Sequence, residues 1–360
     1  MSNSLTQLAL KKFKSNYSGL FSFGFIVLIG FLAIFAYLFA PDDSQNANQM
    51  HLEIHSKKPG FTVEMLSVPQ QSEAEQSFLS RLFFGKKDTH LEIPITDYEL
   101  NSSGLVVDLY SELEIANQKK TYPLSLFEGN PEDFIISKTF YLGTDKYGRD
   151  LLSRMLIGAR ISFFIGFIAV FISLFIGIIF GSIAGFFGGK IDAFIMWLIN
   201  ISWSIPTLLL VIAITLALGK GYWQVFIAVG LTMWVEVARV VRGQIISVKQ
   251  EQYIEAAKAL GFSNLRIIFK HILPNIMAPV IVISAANFAA AILIESGLSF
   301  LGIGAQPPTP SWGAMIKDHY SYIILGKAYL AIIPGLAIMS LVMAFMLVGN
   351  ALRDALDVRT

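Results

Sequence analysis

Five stretches of the chain run without a single Asp, Glu, Lys or Arg: Leu20–Ala40, Ile161–Phe187, Ala193–Gly219, Ile276–Ile294 and Ala328–Leu352. A bilayer core takes roughly 20 apolar residues as a helix, so each is long enough to span. A shorter run, Gly221–Val235, ends at Glu236 and reaches full length only by taking in Glu236 and Val237–Val241. It is read as a span with its charged end near the interface. The pattern therefore predicts six transmembrane helices. Leu20–Ala40 exceeds the roughly 7–15 apolar residues of a cleaved signal, and no A-x-A site follows, so it reads as an uncleaved anchor. Pro206 lies inside the third run and predicts a kink there.

Basic residues in the short connections set the orientation. With the N-terminus inside, the inner segments carry Lys11, Lys12, Lys14, Lys190, Arg239, Arg242, Lys249, Lys258, Arg266, Lys270, Arg353 and Arg359. The short outer loops carry only Lys220, Lys317 and Lys327. The asymmetry predicts N-in, C-in.

Residues 41–140 break the apolar pattern. Acidic residues outnumber basic ones between Pro41 and Arg154. Phe61–Val68, Leu91–Ile95, Leu105–Tyr110 and Lys120–Leu126 alternate as strands do. Asn101-Ser102-Ser103-Gly104 signals a turn between two of them. Ser67–Ser77 reads as a polar connector. The segment is expected to be a small β-leaning extracytoplasmic insert, with a docking surface for an external binding protein as the sharper alternative. His51, His55 and His90 fall here at spacings that fit no metal site, so they read as solvated histidines.

Composition agrees with the membrane reading. Of the 360 residues 54% are hydrophobic and 15% charged, against roughly 45–50% and 25% in soluble domains. Mean hydropathy is +0.60. A net charge of +1 offers no general attraction to nucleic acid. The absence of cysteine removes disulfides, thiolate metal ligands and a cysteine nucleophile.

The segment between the fourth and fifth runs carries the most informative pattern: Glu255-Ala256-Ala257, Gly261, His271 and Leu273-Pro274-Asn275. It predicts a helix with Tyr253, Ala256, Ala257 and Leu260 on one face, a left-handed stop at Gly261 and a cap at Ser263. A second helix carrying Ile267, Ile268 and Phe269 is expected to end at Pro274. Small alanines on an exposed helix let another surface approach closely. Physical reasoning alone leaves an amphipathic hairpin lying on the membrane equally open.

This Glu-Ala-Ala segment resembles the signature of inner-membrane permease subunits of bacterial ABC importers. Most members of that family carry an apolar residue at the His271 position, and the form His271–Asn275 resembles the dipeptide/oligopeptide/nickel branch. Leu142–Asp150 with Ser153-Arg154 and Gly158–Ser162, and Glu295–Gly302 with Pro307–Gly313, are similar to two further segments of that branch. The resemblance covers about residues 140–360 and the first helix, and is nearest to the C-type permease of the peptide pair. It implies an all-α polytopic membrane protein with a type I ABC importer permease fold. It divides the chain into a cytoplasmic N-terminus at 1–17, a first transmembrane helix at 18–40 and the insert at 41–140. A permease core follows at 141–360, with its cytoplasmic coupling segment at 239–275.

In that family the segment forms the coupling helix, seated in a groove of the ATPase subunit. Glu255, Ala256, Ala257, Gly261, His271, Leu273 and Pro274 carry the role here by resemblance. The implied partners are a second homologous permease, two cytoplasmic ATPase domains that bind ATP and Mg, an extracytoplasmic substrate-binding protein and membrane lipid. No cofactor is implied in this chain. Peptides are the first expectation for cargo, nickel chelates or other small solutes the alternative.

Other polar residues in apolar runs need a reason, because a charge in the bilayer centre costs roughly 2.5–3.5 kcal/mol on insertion scales. Glu295 is expected in a helix hydrogen bond or in the translocation path, to which Trp203 and Pro206 are also assigned. Glu236 and Arg239, three residues apart on one helix, are expected to pair. Asp145, Arg149 and Asp150 read as an ion-pair and capping network. Gly188-Gly189-Lys190 is not a phosphate loop, since Ala184 and Ile191 stand where that motif needs Gly and Ser or Thr. A stand-alone ion-coupled carrier and a simple membrane anchor are the rival readings; neither needs a cytoplasmic docking element.

Overall fold

The computed structural model describes residues 5–70, 76–87, 90–102, 104–111, 118–127 and 129–356. Residues 71–75 of the expected connector, Ser103 of the expected turn and Arg359 of the charge asymmetry lie outside them. In chain order the helices are α1 (Leu5–Ser15), α2 (Tyr17–Ile34), α3 (Ala36–Phe39), α4 (Phe78–Phe84) and α5 (Leu151–Phe187). They continue with α6 (Gly189–Ser204), α7 (Thr207–Leu218), α8 (Tyr222–Val248), α9 (Gln252–Ala259), α10 (Asn264–Arg266), α11 (Leu273–Phe300), α12 (Trp312–His319) and α13 (Tyr329–Leu356). Among the described residues five helical stretches are long and apolar enough to cross a membrane, six if the bent pair α6 and α7 is one span.

That pair corrects the expectation of one kinked helix. The axes of α6 and α7 differ by 92°. Ile205, the residue before proline, is pushed out of the helical region to φ −93°, ψ 128°. Pro206 follows at ψ 125° as the residue preceding α7. Two consecutive extended residues turn the chain far more than a lost hydrogen bond would.

The chain forms two compact units. One comprises Met1–Gly30, Ser162–Gln306 and Leu336–Thr360. Its helices pack through small residues, as membrane helices do when lipid offers no hydrophobic drive. Gly177, Gly181 and Gly185 recur every four residues along α5 and meet Val237, Ala238 and Ile245 of α8. Farther along, Phe288 of α11 stacks on Phe345 of α13 with ring centroids 4.8 Å apart.

The other unit comprises Phe31–Ile161 and Pro307–Gly335. It holds a five-stranded antiparallel sheet in the order β4-β3-β2-β1-β5. The strands are β1 (Phe61–Pro69), β2 (His90–Asn101), β3 (Gly104–Leu109), β4 (Lys119–Tyr122) and β5 (Ile135–Phe140). Leu66, Ile95, Leu105 and Val107 fill one face of the sheet. Three outcomes differ from the sequence reading. The strand expected over Lys120–Leu126 stops at Tyr122, because Pro123 follows and a 3-10 turn takes Leu124–Leu126. The strand β5 has too weak an alternation to be read. His51 is buried rather than solvated; His55 is exposed.

Beside the sheet, Asp145 is fully buried. Its carboxylate accepts from Arg149 Nε at 2.7 Å and from the backbone N–H groups of Tyr147 and Arg149 at 2.8 and 3.0 Å. Arg154 approaches it at 3.7 Å. Asp150 accepts from the backbone and hydroxyl of Ser153 at 2.8 and 2.5 Å, capping the start of α5. Trp312 Nε1 donates to Met155 O at 3.0 Å, and Lys146 pairs with Asp318 at 3.0 Å.

Candidate functional site

The Glu-Ala-Ala segment is built as a ledge with one buried and one open side. The helix α9 ends where Gly261 takes φ +76°. There Phe262 N–H bonds Ala257 O at 3.1 Å and Gly261 N–H bonds Lys258 O at 2.9 Å, the paired closure that a left-handed residue permits. Ile254 and Ala257 face inward, with Ile267, Ile268 and Ile272, onto Phe186, Val241 and Ile245. This corrects the face expected for α9: Tyr253, Ala256 and Leu260 are exposed, and only Ala257 of that set is buried. The helix sits on Ile254 because that side chain has more apolar area to remove from water than an alanine.

After Gly261 the chain re-enters a helix at α10. Ser263 stands at the cap position, yet its hydroxyl makes no capping bond. The second helix does not end at Pro274 either. A π turn over Ile267–Ile272 leads straight into α11, with Pro274 in its first turn. A widened turn absorbs the missing proline N–H and its ring. His271 stacks on Phe262 with ring planes 14° apart, and Asn275 Nδ2 donates to His271 O at 2.6 Å. Leu273 is half-buried. Leu260, Leu265 and Phe269 are 72%, 68% and 64% exposed, with Glu255 exposed alongside.

At the break between α6 and α7 lies a cavity of about 200 Å³, lined by Trp203, Thr207, Thr232, Met233, Glu236 and Ile294. Pro206 adjoins Thr207 at the break. Glu236 and Arg239 do not pair among the described residues. Arg239 Nη2 instead donates to Asn200 Oδ1 at 2.9 Å, and its guanidinium lies 3.5 Å from the Trp203 ring centre. Arg239 is thus held by Asn200 and by cation–π contact with the Trp203 ring rather than by Glu236. Glu295 is buried and accepts from Ser299 Oγ at 2.7 Å; it does not line this cavity, although its neighbour Ile294 does. Among the described residues no group of His, Asp and Glu side chains could hold a metal ion.

Residues 177–360 match the family described as binding-protein-dependent transport system inner membrane component. Residues 4–59 match the N-terminal TM domain of oligopeptide transport permease C. The chain belongs to the family of binding-protein-dependent transport system inner membrane components. This permease is 42% identical over 235 residues to the dipeptide transport system permease protein DppC of Alkalihalophilus pseudofirmus, covering 65% of this chain and 77% of that one. It is 41% identical over 221 residues to the oligopeptide transport system permease protein OppC of Bacillus subtilis, covering 61% and 72%. It is 41% identical over 217 residues to the glutathione transport system permease protein GsiD of Escherichia coli, covering 60% and 71%. The permease is thus the membrane-spanning subunit of an ABC importer, a multi-pass protein of the inner membrane, and the family keeps its ATPase in partner subunits.

Of the residues assigned from sequence, the fold brings Glu255, Ala256, Ala257, Gly261, His271, Leu273 and Pro274 into one ledge and sets Trp203 and Pro206 at one break. Sequence reading missed two things in the permease. One is the exposed apolar row Leu260, Leu265 and Phe269, legible only once the π turn fixes which side faces out. The other is Glu236 on the cavity wall. Its signal was present as a carboxylate interrupting an apolar run, but α8 runs on to Val248 and so places Glu236 inside the helix rather than at its end.

Proposed function

We propose that this permease passes di- or oligopeptides from an external binding protein across the inner membrane by alternating access, with N- and C-termini inside and residues 41–140 outside. It works in a type I importer assembly with a second homologous permease and two ATPase domains. ATP with Mg, bound by those partner subunits, supplies the driving free energy. The ledge Glu255–Pro274 docks in the ATPase groove. Its motion reaches the bundle through the unbroken helical path from α10 by the π turn into α11, a rigid lever of the kind domain closure needs. Trp203, Pro206 and Glu236 border the translocation path.

One observation carries the reading: an apolar row on an otherwise polar connection is held outward by a fully buried isoleucine underside. Large exposed apolar residues gathered on one short connection are what a docking surface presents. The peptide cargo is supported by the relatives named for dipeptide, oligopeptide and glutathione transport.

The test compares uptake of labelled di-, tri- and longer peptides in cells with and without the permease, before and after ATP depletion. Loss of ATP-dependent uptake with the gene is the expected result. Uptake that survives ATP depletion would overturn the reading. A second arm uses Gly261→Arg. Nothing lies within 4 Å of a Cβ there, but φ +76° strains any L side chain, and the arginine stands in the docking face. Transport and ATPase coupling are expected to vanish with expression intact; normal transport sinks the coupling assignment.

A further inference from the structure

The helix α4 is a short element with an unusual surface. Its sequence is Phe78-Leu79-Ser80-Arg81-Leu82-Phe83-Phe84. Only Leu82 is buried, while Phe78, Leu79, Phe83 and Phe84 are all exposed. Four bulky apolar side chains on a seven-residue helix are costly in water. Packing within the unit does not explain them, since Leu82 is the buried apolar side chain of the element.

Its position gives the reason. Phe83 O accepts from Arg160 Nη1 at 2.7 Å. Arg160 is the last charged residue before the uncharged run Ile161–Phe187, so it marks the level at which α5 enters the bilayer. The guanidinium of Arg160 also stacks on Tyr37 of α3, 5.3 Å from the ring centre. The α3 segment is the last apolar turn before Pro41-Asp42-Asp43, and its Leu38 and Phe39 are exposed. Gly85, directly after α4, packs against the Tyr37 ring so closely that a Cβ would stand 2.6 Å from it. The exit of α3 and the entry of α5 therefore both meet α4. Phe83 and Phe84 are exposed as Leu38 and Phe39 are, and Arg81, Lys86 and Lys87 stand in the same short stretch, with Asp43 3.6 Å from Arg81.

We infer that α4 is an interfacial anchor that lies in the phospholipid headgroup layer where α3 leaves and α5 enters the bilayer. Phe78, Leu79, Phe83 and Phe84 insert at the acyl boundary, and the basic residues sit at the level of the lipid phosphates. Exposed aromatic and apolar residues with Lys and Arg close by in the chain are what an interfacial segment needs. The anchor ties the segment between α3 and α5 to the membrane surface at a point between those two helices.

The chain has no cysteine, so labelling is single-site once the partner subunits are made cysteine-free. Nitroxide is attached in turn at Phe78→Cys, Phe84→Cys, Leu124→Cys and Phe171→Cys in the assembled transporter in phosphatidylglycerol/phosphatidylcholine vesicles. Relaxation by oxygen, which concentrates in lipid, is compared with relaxation by a water-soluble nickel chelate. Leu124 is an exposed residue of the sheet unit and Phe171 an exposed residue of α5. The expected result is an oxygen-to-nickel ratio at 78 and 84 several-fold above that at 124 and on the side of 171. A ratio equal to that at 124 means open water and overturns the inference. Protection from both reagents means a protein partner covers α4, and overturns it equally. Labels at two sites guard against one substitution disturbing the helix, and the readout does not depend on what the transporter carries.

Discussion

A Cβ on Gly181 would stand 2.6 Å from the carbonyl oxygen of Ala238, so α5 and α8 approach backbone to backbone at this point. The same holds one turn either way, at Gly177 and Gly185. Gly181→Leu should therefore force the helices apart. Overpacking costs typically about 1–3 kcal/mol, and here the obstacle is backbone, which yields least. A fall of several degrees in the Tm of the purified permease is expected. Gly243→Ala, where nothing lies within 4 Å, should leave it unchanged.

Asp145 neutralises two guanidinium groups from full burial, Arg149 at 2.7 Å and Arg154 at 3.7 Å. Asp145→Asn keeps the shape and removes the charge. Breaking a buried pair costs about 3–5 kcal/mol, because the remaining charges stay desolvated. Chemical denaturation of the sheet unit should show a loss of that order, and a loss under 1 kcal/mol would mean the arginines find water on their own.

Burial holds His51 neutral, with Lys138 nearby adding to the effect and Asp42 and Glu53 opposing it, so that its pKa drops to about 4. Its ordinary value is about 6.5. Between these two values the unfolded chain binds the proton and the folded chain does not. Stability therefore falls as pH drops from about 6.5 toward 4, by at most about 1.4 kcal/mol per pH unit from this group. Above pH 6.5 His51 contributes no slope. Denaturation midpoints for wild type and His51→Gln should keep a constant separation above pH 6.5 and shift relative to each other below it, because only the wild type loses stability there. Parallel curves would mean His51 is not the group that titrates.

Glu236 is the one charged side chain on the wall of the cavity at the α6–α7 break. If that cavity borders the path, Glu236→Lys should cut peptide uptake tenfold or more, since it reverses the local field at low dielectric. Trp203→Ala should act through the same cavity by releasing Arg239 from its 3.5 Å stack. Uptake rates at matched expression check both. Unchanged uptake in Glu236→Lys would place the path elsewhere.

Much of the site was readable before the fold. Gly261 is the residue on which the α9 stop depends, and its φ of +76° is what a glycine at that spacing foretells. The strands that alternation predicts at Phe61–Val68, Leu91–Ile95 and Leu105–Tyr110 lie along β1, β2 and β3, overrunning β3 by Tyr110 alone. Glu236 and Arg239 were misread because i,i+3 spacing reports nearness on one helix and says nothing of a tryptophan on another. Pro274 was misread as a stop because local rules price a proline against an α turn, while the structure answers with a π turn.

The sequence by itself determined a multi-pass membrane protein, since uncharged runs of bilayer length are local patterns that need no neighbours to be recognised, and the Glu-Ala-Ala segment added the permease reading by its resemblance to a family. Only the tertiary structure decided which sides of that segment are open, that Pro206 ends one helix and starts another at 92°, and that α4 meets Arg160 and Tyr37. These depend on contacts between residues far apart in the chain. Local propensity supplies the pieces, and the cost of leaving buried charges and core side chains without partners selects how they are arranged.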